Sequence, residues 1–592
     1  MPHSNAFKGR FMQLLAATAF TGCLGLAPAT IADAQEAAPR PNFVIIVADD
    51  LGYSDIGSFG GEISTPNLDR MAREGTRFTN FYVGPTCSPT RAMLMTGQDS
   101  HRVGMGNMYE QTAPNQMDQP GYEGILTHSS LTFAERLKAA GYRTYMTGKW
   151  HLGHDPDHIP HARGFDRDFS LLNPAGSHFT WTGSKVENER SEFTKDGEYI
   201  TKLPKNYYST RSFTEQMVDF LEEDRADDRP FVAYLAYQAP HDPLQVPDGW
   251  RNNYKGKFDA GWDELRKSRL ARLKEDGIVA DEAENGARLW YVPGFDKMVG
   301  AGQVAQARKM EIYAAVVEYL DYQIGEFIDY LDESGQLDNT VILFFSDNGP
   351  EGADPIPNAK AQPNLESSMF FANNYETDIA AWGRKYGFVA YGPAWAQVSA
   401  TPFAGYKGSL YEGGVRSPLI VWQPGQKNGG AINSDALMSV MDVAPTLMDL
   451  AGVDASEMQG KSWAPMLRGE TGSPRTDDDI IAMEFASARM ARRGPWKAVW
   501  MPTPFGFARW ELFNLDIDPG ETNDLAKQHP ERLQELVAAW EDYVDANNVI
   551  IPDRTFYDGL DERLPPRPPV VSPGWPRMQE PNWTSVKLGD DE

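Results

Sequence analysis

The most chemically suggestive stretch of this chain is Cys87-Ser88-Pro89-Thr90-Arg91. The chain has 2 cysteines, and the other, Cys23, falls in an apolar leader. Once that leader is removed, Cys87 has no internal disulfide partner, which shifts its reading from structure toward chemistry. Ser88 reads as a helix N-cap, Pro89 as the first helical residue, and Arg91 to Thr96 as the rest of a short helix ending at Gly97. A cysteine just before a helix N-terminus sits where the dipole favours negative charge, with Arg91 one turn on. The generic chemistry is an activated thiolate. Such a nucleophile wants a histidine partner, and none is adjacent in sequence. The alternative is a small buried hydrophobe.

Two acidic pairs, Asp49-Asp50 and Asp347-Asn348, each follow a short apolar run. Three carboxylates and an amide oxygen make a hard, all-oxygen ligand set suited to Ca²⁺ or Mg²⁺ rather than zinc. The competing reading is that strand-end Asp residues cap the helices that follow; two such pairs in one sheet favour metal. Lys149, His151, His241 and Lys407 also follow strand ends or glycines. With Arg91 and a divalent metal they would form an anion clamp. Two lookalikes fail. His151, His154, His158 and His161 are broken up by Pro156 and Pro160, and Asp516-x-Asp518-x-Gly520 has Lys527 where a Ca²⁺ loop needs its bidentate Glu.

These residues need a frame that brings them together. Phe43 to Ala48, Tyr142 to Met146, Phe231 to Tyr237 and Val341 to Phe345 are continuous apolar runs, as expected of strands buried on both faces of a mostly parallel sheet. Helical patterns lie between them at Leu131 to Ala140, Ser212 to Glu223 and Ala305 to Glu333. The alternation predicts an α/β sandwich whose site lies beyond the carboxyl ends of the strands, where every polar cluster falls. Two long segments interrupt it: a helical insertion at 248–300 and an active-site loop at 349–401, both expected to shape the pocket. The catalytic domain is read as 35–460. A smaller α+β domain with short strands at Trp496 to Trp500 and Trp510 to Leu515 and a helix from Glu531 to Val544 is read as 461–563. A Pro-rich tail follows at 564–592.

Lys8, Arg10, the apolar run Phe11 to Ala27 and the small-x-small site Ala32-Asp33-Ala34 form a signal peptide, 1–34, so the mature chain is expected to be periplasmic or secreted. Phe20-Thr21-Gly22-Cys23 loosely resembles a lipoprotein box, and the alternative is a lipid anchor at Cys23. No integral membrane segment is expected after cleavage. The 592-residue chain has 41% hydrophobic residues and a net charge of −28. This disfavours disorder, and it disfavours nucleic acid or an anionic membrane as partners. An anionic substrate would be repelled globally, so its site must supply local positive charge.

At this point the chain resembles the type I sulfatases of the alkaline phosphatase-like superfamily, most closely their bacterial arylsulfatase branch. Cys87-Ser88-Pro89-Thr90-Arg91 with its run to Thr96-Gly97 is similar to the family's modification signature. Gly141 to His151 is similar to its second signature, and Glu511-Leu512-Phe513-Asn514-Leu515 with Asp518-Pro519 and Glu521 to its C-terminal hallmark. The likeness implies a large mixed, mostly parallel central sheet sandwiched by helices, with an antiparallel sheet in the C-terminal α+β domain. It implies that Cys87 is oxidised by a maturation enzyme to Cα-formylglycine. Its hydrate would attack the sulfur of a small-molecule sulfate ester and then expel sulfate. It further implies Ca²⁺ (or Mg²⁺) held by Asp49, Asp50, Asp347, Asn348 and residue 87. Arg91 and Lys149 would hold the diol, His151 would be the base, and His241 and Lys407 would bind sulfate, His241 being a candidate acid. The alternatives are a phosphodiesterase or phosphonate monoester hydrolase of the same superfamily, and an unmodified anion-binding protein.

Overall fold

The computed structural model describes residues 40–184, 190–356, 366–470, 472–476 and 478–553. The leader, Cys23 and the 564–592 tail lie outside them. Among the described residues, eleven strands form one sheet in the order β10-β2-β9-β8-β1-β7-β3-β4-β5-β6, with β11 also on β2. Its centre is β8 (Thr340–Ser346), β1 (Asn42–Ala48), β7 (Phe231–Ala236), β3 (Arg143–Lys149) and β4 (Arg167–Leu171), all mutually parallel. β9 (Arg416–Trp422) runs antiparallel to both β8 and β2 (Thr76–Tyr82), and β5 (Phe193–Lys195) and β6 (Glu198–Tyr199) are antiparallel at one edge. β10 (Ala431–Asn433) and β11 (Met438–Ser439) pair parallel with β2 at the other.

The continuous apolar runs follow from burial of both faces. Side chains alternate across a strand, and here each half of the alternation enters a different core. Val44 and Ile46 of β1, Ala233 and Leu235 of β7, and Ile342 and Phe344 of β8 join one cluster. It includes residues of α1 (Pro66–Glu74), α4 (Ser209–Glu223) and α6 (Ala301–Glu333). Phe43, Ile45, Val232, Tyr234, Leu343 and Phe345 join the other, with α2 (Cys87–Thr96), α3 (Phe133–Ala139) and the helix Val443–Ala451. No described helix is long and apolar enough to cross a membrane.

A second sheet, antiparallel and four-stranded, comprises β12 (Ile481–Phe485), β13 (Ala488–Arg493), β14 (Trp496–Trp500) and β15 (Trp510–Asn514), with the helix Pro530–Asn547 against it. A buried charge network ties it to the large sheet. Lys497 Nζ lies 2.8 Å from both Glu412 Oε1 and Glu521 Oε1, and Glu412 also accepts from the Tyr82 hydroxyl at 2.6 Å. In the 248–300 segment the principal helix is α5 (Gly261–Glu275), which packs on the helix Pro393–Ser399 and sends Arg269 to Asp55 and Glu62.

Candidate active site

Parallel packing of β8, β1, β7 and β3 stacks their carboxyl ends side by side. Asp347, Asp49 and Asp50, His241, and Lys149 with His151 therefore converge although Asp50 and Asp347 lie 297 positions apart in sequence. β3 reaches the cluster only because Gly148 can adopt φ 111°; a Cβ there would meet the Ala236 carbonyl at 1.9 Å. Asp50 (φ 68°) and His151 (φ 56°) are non-glycine residues in the left-handed region, a strained backbone held by its surroundings.

The helix carrying Cys87 differs from expectation. It starts at Cys87 itself, with Thr86 at the N-cap and no side-chain capping bond, so Ser88 is not the cap. Cys87 is 2% exposed and its Sγ lies 3.4 Å from Asp49 Oδ1. Burial pushes the thiol pKa up, more than Lys149 and Lys407 lower it, so the activated thiolate suggested by the helix dipole is not what this environment makes.

The three strand-end acids are each answered by one cation. Arg91 donates from Nε (2.9 Å) and Nη2 (2.7 Å) to Asp347 Oδ2, Lys149 Nζ lies 2.8 Å from Asp49 Oδ2, and Lys407 Nζ lies 2.7 Å from Asp50 Oδ1. Burial disfavours charge on Lys149 and Lys407, but Asp49 and Asp50 outweigh it and hold both ammonium groups protonated. His241 Nε2 is 3.4 Å from Asp50 Oδ2; burial opposes its protonation, yet Asp50 raises its pKa above the usual histidine value.

One ligand atom each from Asp49, Asp50, Cys87 and Asp347 lies within 4.8 Å of the others, all buried. Asn348 Nδ2 donates to Asp50 Oδ1 at 2.6 Å, while Asn348 Oδ1 is buried with no hydrogen-bond partner. A buried, orphaned amide oxygen beside three carboxylates fits a hard divalent cation. The electrostatics agree. Burial, only partly offset by Lys149 and compounded by Asp347, pushes the Asp49 carboxyl above its usual range, as in a site short of positive charge. Since the three acids are already matched by three cations, a divalent ion there leaves the group positive, which answers the charge problem posed by the acidic chain.

His151 lies on the cavity wall. Its Nε2 is 3.6 Å from Glu110 Oε1 and its Nδ1 has no hydrogen-bond partner. Burial, opposed by Glu110, lowers its pKa to about 3, so the ring is neutral and able to accept a proton at neutral pH. An unfolded histidine titrates near 6.5, so the unfolded chain binds more protons as pH falls below that value. His151 thus removes up to about 1.4 kcal/mol of stability per pH unit on acidification from there toward pH 3. His151→Gln is expected to flatten the stability loss between about pH 6 and 4. Denaturant melts at the two values check this, and an unchanged slope contradicts a buried neutral ring.

A cavity of about 450 Å³ opens over Cys87, Lys149, His241 and Lys407. Its walls include residues that sequence reasoning did not single out: Met108, Glu110, Phe371, Phe388 and Phe485. The 349–407 loop contributes Glu351 as well as both of the first two phenylalanines; the 248–300 insertion, expected to shape the pocket, contributes none of the described lining. Tyr291 reaches only as far as the Tyr406 hydroxyl, at 2.7 Å. Phe485 closes β12, and a single aromatic at a strand end carries no sequence signal that it faces a distant site.

The comparisons agree with this geometry. An uncharacterized sulfatase of Schizosaccharomyces pombe is 39% identical over 87% of this chain and 95% of its own. The arylsulfatase of Klebsiella aerogenes is 39% identical over 71% of this chain and 89% of its own. The crystal structure of Ps i-CgsB in complex with k-i-k-neocarrahexaose shares the fold at a TM-score of 0.61 and 24% identity, covering 88% of this chain and 97% of that one. The family model described as N-sulphoglucosamine sulphohydrolase, C-terminal, matches residues 406–546. The sulfatase family model matches residues 41–453, the span that holds the sheet, Cys87 and every charged residue gathered around it, and the chain belongs to the sulfatase family.

Proposed function

We propose that this sulfuric ester hydrolase is an arylsulfatase that works through Cα-formylglycine at residue 87 and Ca²⁺, and that it acts in the periplasm or outside the cell. The observation that carries the reading is the convergence of Cys87, Asp49, Asp50 and Asp347 beside the orphaned Asn348 oxygen. The raised thiol pKa supports modification, since an unmodified Cys87 is a poor nucleophile here. The similarity to the Klebsiella arylsulfatase and the phenylalanine-lined cavity support an aryl leaving group. The leader at 1–34 supports export.

Asp49, Asp50, Asp347 and Asn348 would hold Ca²⁺ together with residue 87. Formylglycine, as its hydrate, would supply one hydroxyl for attack on sulfur and a second for the later release of sulfate, and Ca²⁺ would supply positive charge to the sulfuryl group. Lys149 and Arg91 orient residue 87 from fixed ion pairs and cannot swing away without exposing a buried acid. His151, neutral, takes a proton from residue 87. His241, whose pKa burial lowers but Asp50 raises further, is the candidate donor of a proton to the leaving oxygen. Lys407 binds a sulfate oxygen.

The decisive experiment measures kcat/KM on 4-nitrophenyl sulfate and on bis(4-nitrophenyl) phosphate, with peptide mass analysis of residue 87 in the same preparation. Fast sulfate turnover by aldehyde-bearing protein is the expected outcome. A clear preference for the phosphate diester, or full activity with an intact thiol, rejects the reading.

A further inference from the structure

We propose that a groove between α4 and α6, separate from the active site, binds a neutral saccharide; this goes beyond the catalytic reading above and does not depend on it. The 248–300 segment adds nothing to the described lining of the cavity over Cys87, but its first turn faces a second cavity. Trp250, whose backbone amide donates to the Pro247 carbonyl at 2.9 Å, lines a groove of about 700 Å³ together with residues of α4 and α6. Arg211 and Glu215 stand four apart on α4, and Tyr319, Tyr322, Gln323 and Glu326 recur at steps of three and four on α6, so each set occupies one helix face. The groove shares no lining residue with the cavity over Cys87.

Two independent observations point to a ligand of mixed character. The first is a continuous aromatic surface. Trp250 meets Tyr319 edge to face with ring centroids 5.1 Å apart and lies 5.2 Å from Tyr322, which is 40% exposed. These rings touch one another, so they form a platform rather than a cage that closes around a cation. A platform of this kind suits the C–H face of a sugar ring. The second is a pair of unsatisfied polar groups beside it. Gln323 is 4% exposed, yet its amide makes no hydrogen bond among the described residues, and neither does the hydroxyl of Tyr319, which is 5% exposed. Buried polar groups are normally paired, and both of these residues line the groove. An amide offers donors and an acceptor together, and neighbouring sugar hydroxyls, each donor and acceptor at once, answer both. Glu215, Asp219 and Glu326 add carboxylate acceptors for hydroxyl groups, with Arg211 held 3.7 Å from Glu215.

Ligand-observed saturation-transfer NMR on the full chain tests this with maltotriose, cellotriose and N,N′,N″-triacetylchitotriose, and with choline chloride as the cationic control. At least one trisaccharide is expected to receive saturation at its ring C–H protons. Tyr322→Ala is expected to weaken that binding about fivefold and Trp250→Ala about tenfold or more, since each removes part of the platform. Gln323→Leu keeps the volume, removes the amide and is expected to weaken binding about fivefold. Tyr322→Ala and Gln323→Leu carry the test if Trp250→Ala, which also removes core packing, fails to fold. All folded variants are expected to hydrolyse 4-nitrophenyl sulfate at the parent rate. Saturation of none of the three trisaccharides, saturation undiminished in both Tyr322→Ala and Gln323→Leu, or saturation of choline alone overturns the inference. None of these results bears on sulfate hydrolysis, whose own test is turnover.

Discussion

Cys87→Ala is expected to abolish turnover of aryl sulfates, lowering kcat by about 10⁴-fold or more, while the protein stays folded. The size of the effect follows from what remains. Arg91, Lys149, His241 and Lys407 would still bind the sulfate, but residue 87 would offer no oxygen to attack it. The fold is expected to survive because the thiol makes one weak hydrogen bond, 3.4 Å to Asp49, and because the other nine residues of the helix it opens are buried as well. Loss of one small buried group costs on the order of 1 kcal/mol. A melt near that of the parent with no measurable turnover is the expected pair of results. Activity retained at even a few per cent would move the nucleophile elsewhere.

Removing Ca²⁺ is expected to have the second largest effect, on stability as well as rate. The acids and cations around residue 87 are balanced in number, so the chain folds without the ion, but Asp49 remains under-compensated and Asn348 Oδ1 unsatisfied. Binding to the folded state alone adds about 2.7 kcal/mol when free Ca²⁺ is a hundredfold above Kd. Chelator-treated protein should therefore melt lower, regain stability as Ca²⁺ is titrated back, and recover turnover over the same concentrations. Asp49→Asn keeps the shape but removes a ligand charge, and should move the titration midpoint up by at least about tenfold. A melting temperature indifferent to chelator and to Ca²⁺ would falsify the metal assignment.

Much of this arrangement was legible in the sequence because its cause is simple. Strands buried on both faces must be apolar throughout, so the runs before Asp49, Lys149 and Asp347 announced themselves, and parallel packing fixed which end of each run carried the polar residues. The helix Leu131 to Ala140 appeared as Phe133–Ala139, and Glu531 to Val544 as Pro530–Asn547, differences of the size that fraying ends produce. What could not be read depends on relative placement. Nothing in the neighbourhood of Arg91 says that it pairs with Asp347, 256 positions on. Glu110 lies in a single 3-10 turn, Tyr109–Gln111, too short to carry a period that would betray a facing partner. The 248–300 segment looked like pocket because it was long and Trp-bearing, yet Trp262 packs on Trp395 and Phe295 in the core. Ser88 had the composition of a cap, but the chain turns helical two residues earlier than that, at Cys87 rather than Pro89.

The network of Lys497 with Glu412 and Glu521 has a consequence for how this enzyme can be taken apart. A fragment ending before β12 would keep every reacting residue, but buried Glu412 would lose Lys497 and keep Arg416, at 3.2 Å, as its cation, and the substrate cavity would lack Phe485. Such a fragment is not a minimal enzyme, and two separately expressed halves would have to reassemble before either was useful. The same linkage makes the C-terminal sheet an exchangeable determinant. A recombination that preserved Lys497 and Glu521 while replacing the residue at position 485 would carry over the docking contacts and rewrite one wall of the cavity. Preference for a leaving group could then be inherited from a part of the chain that never touches the sulfur.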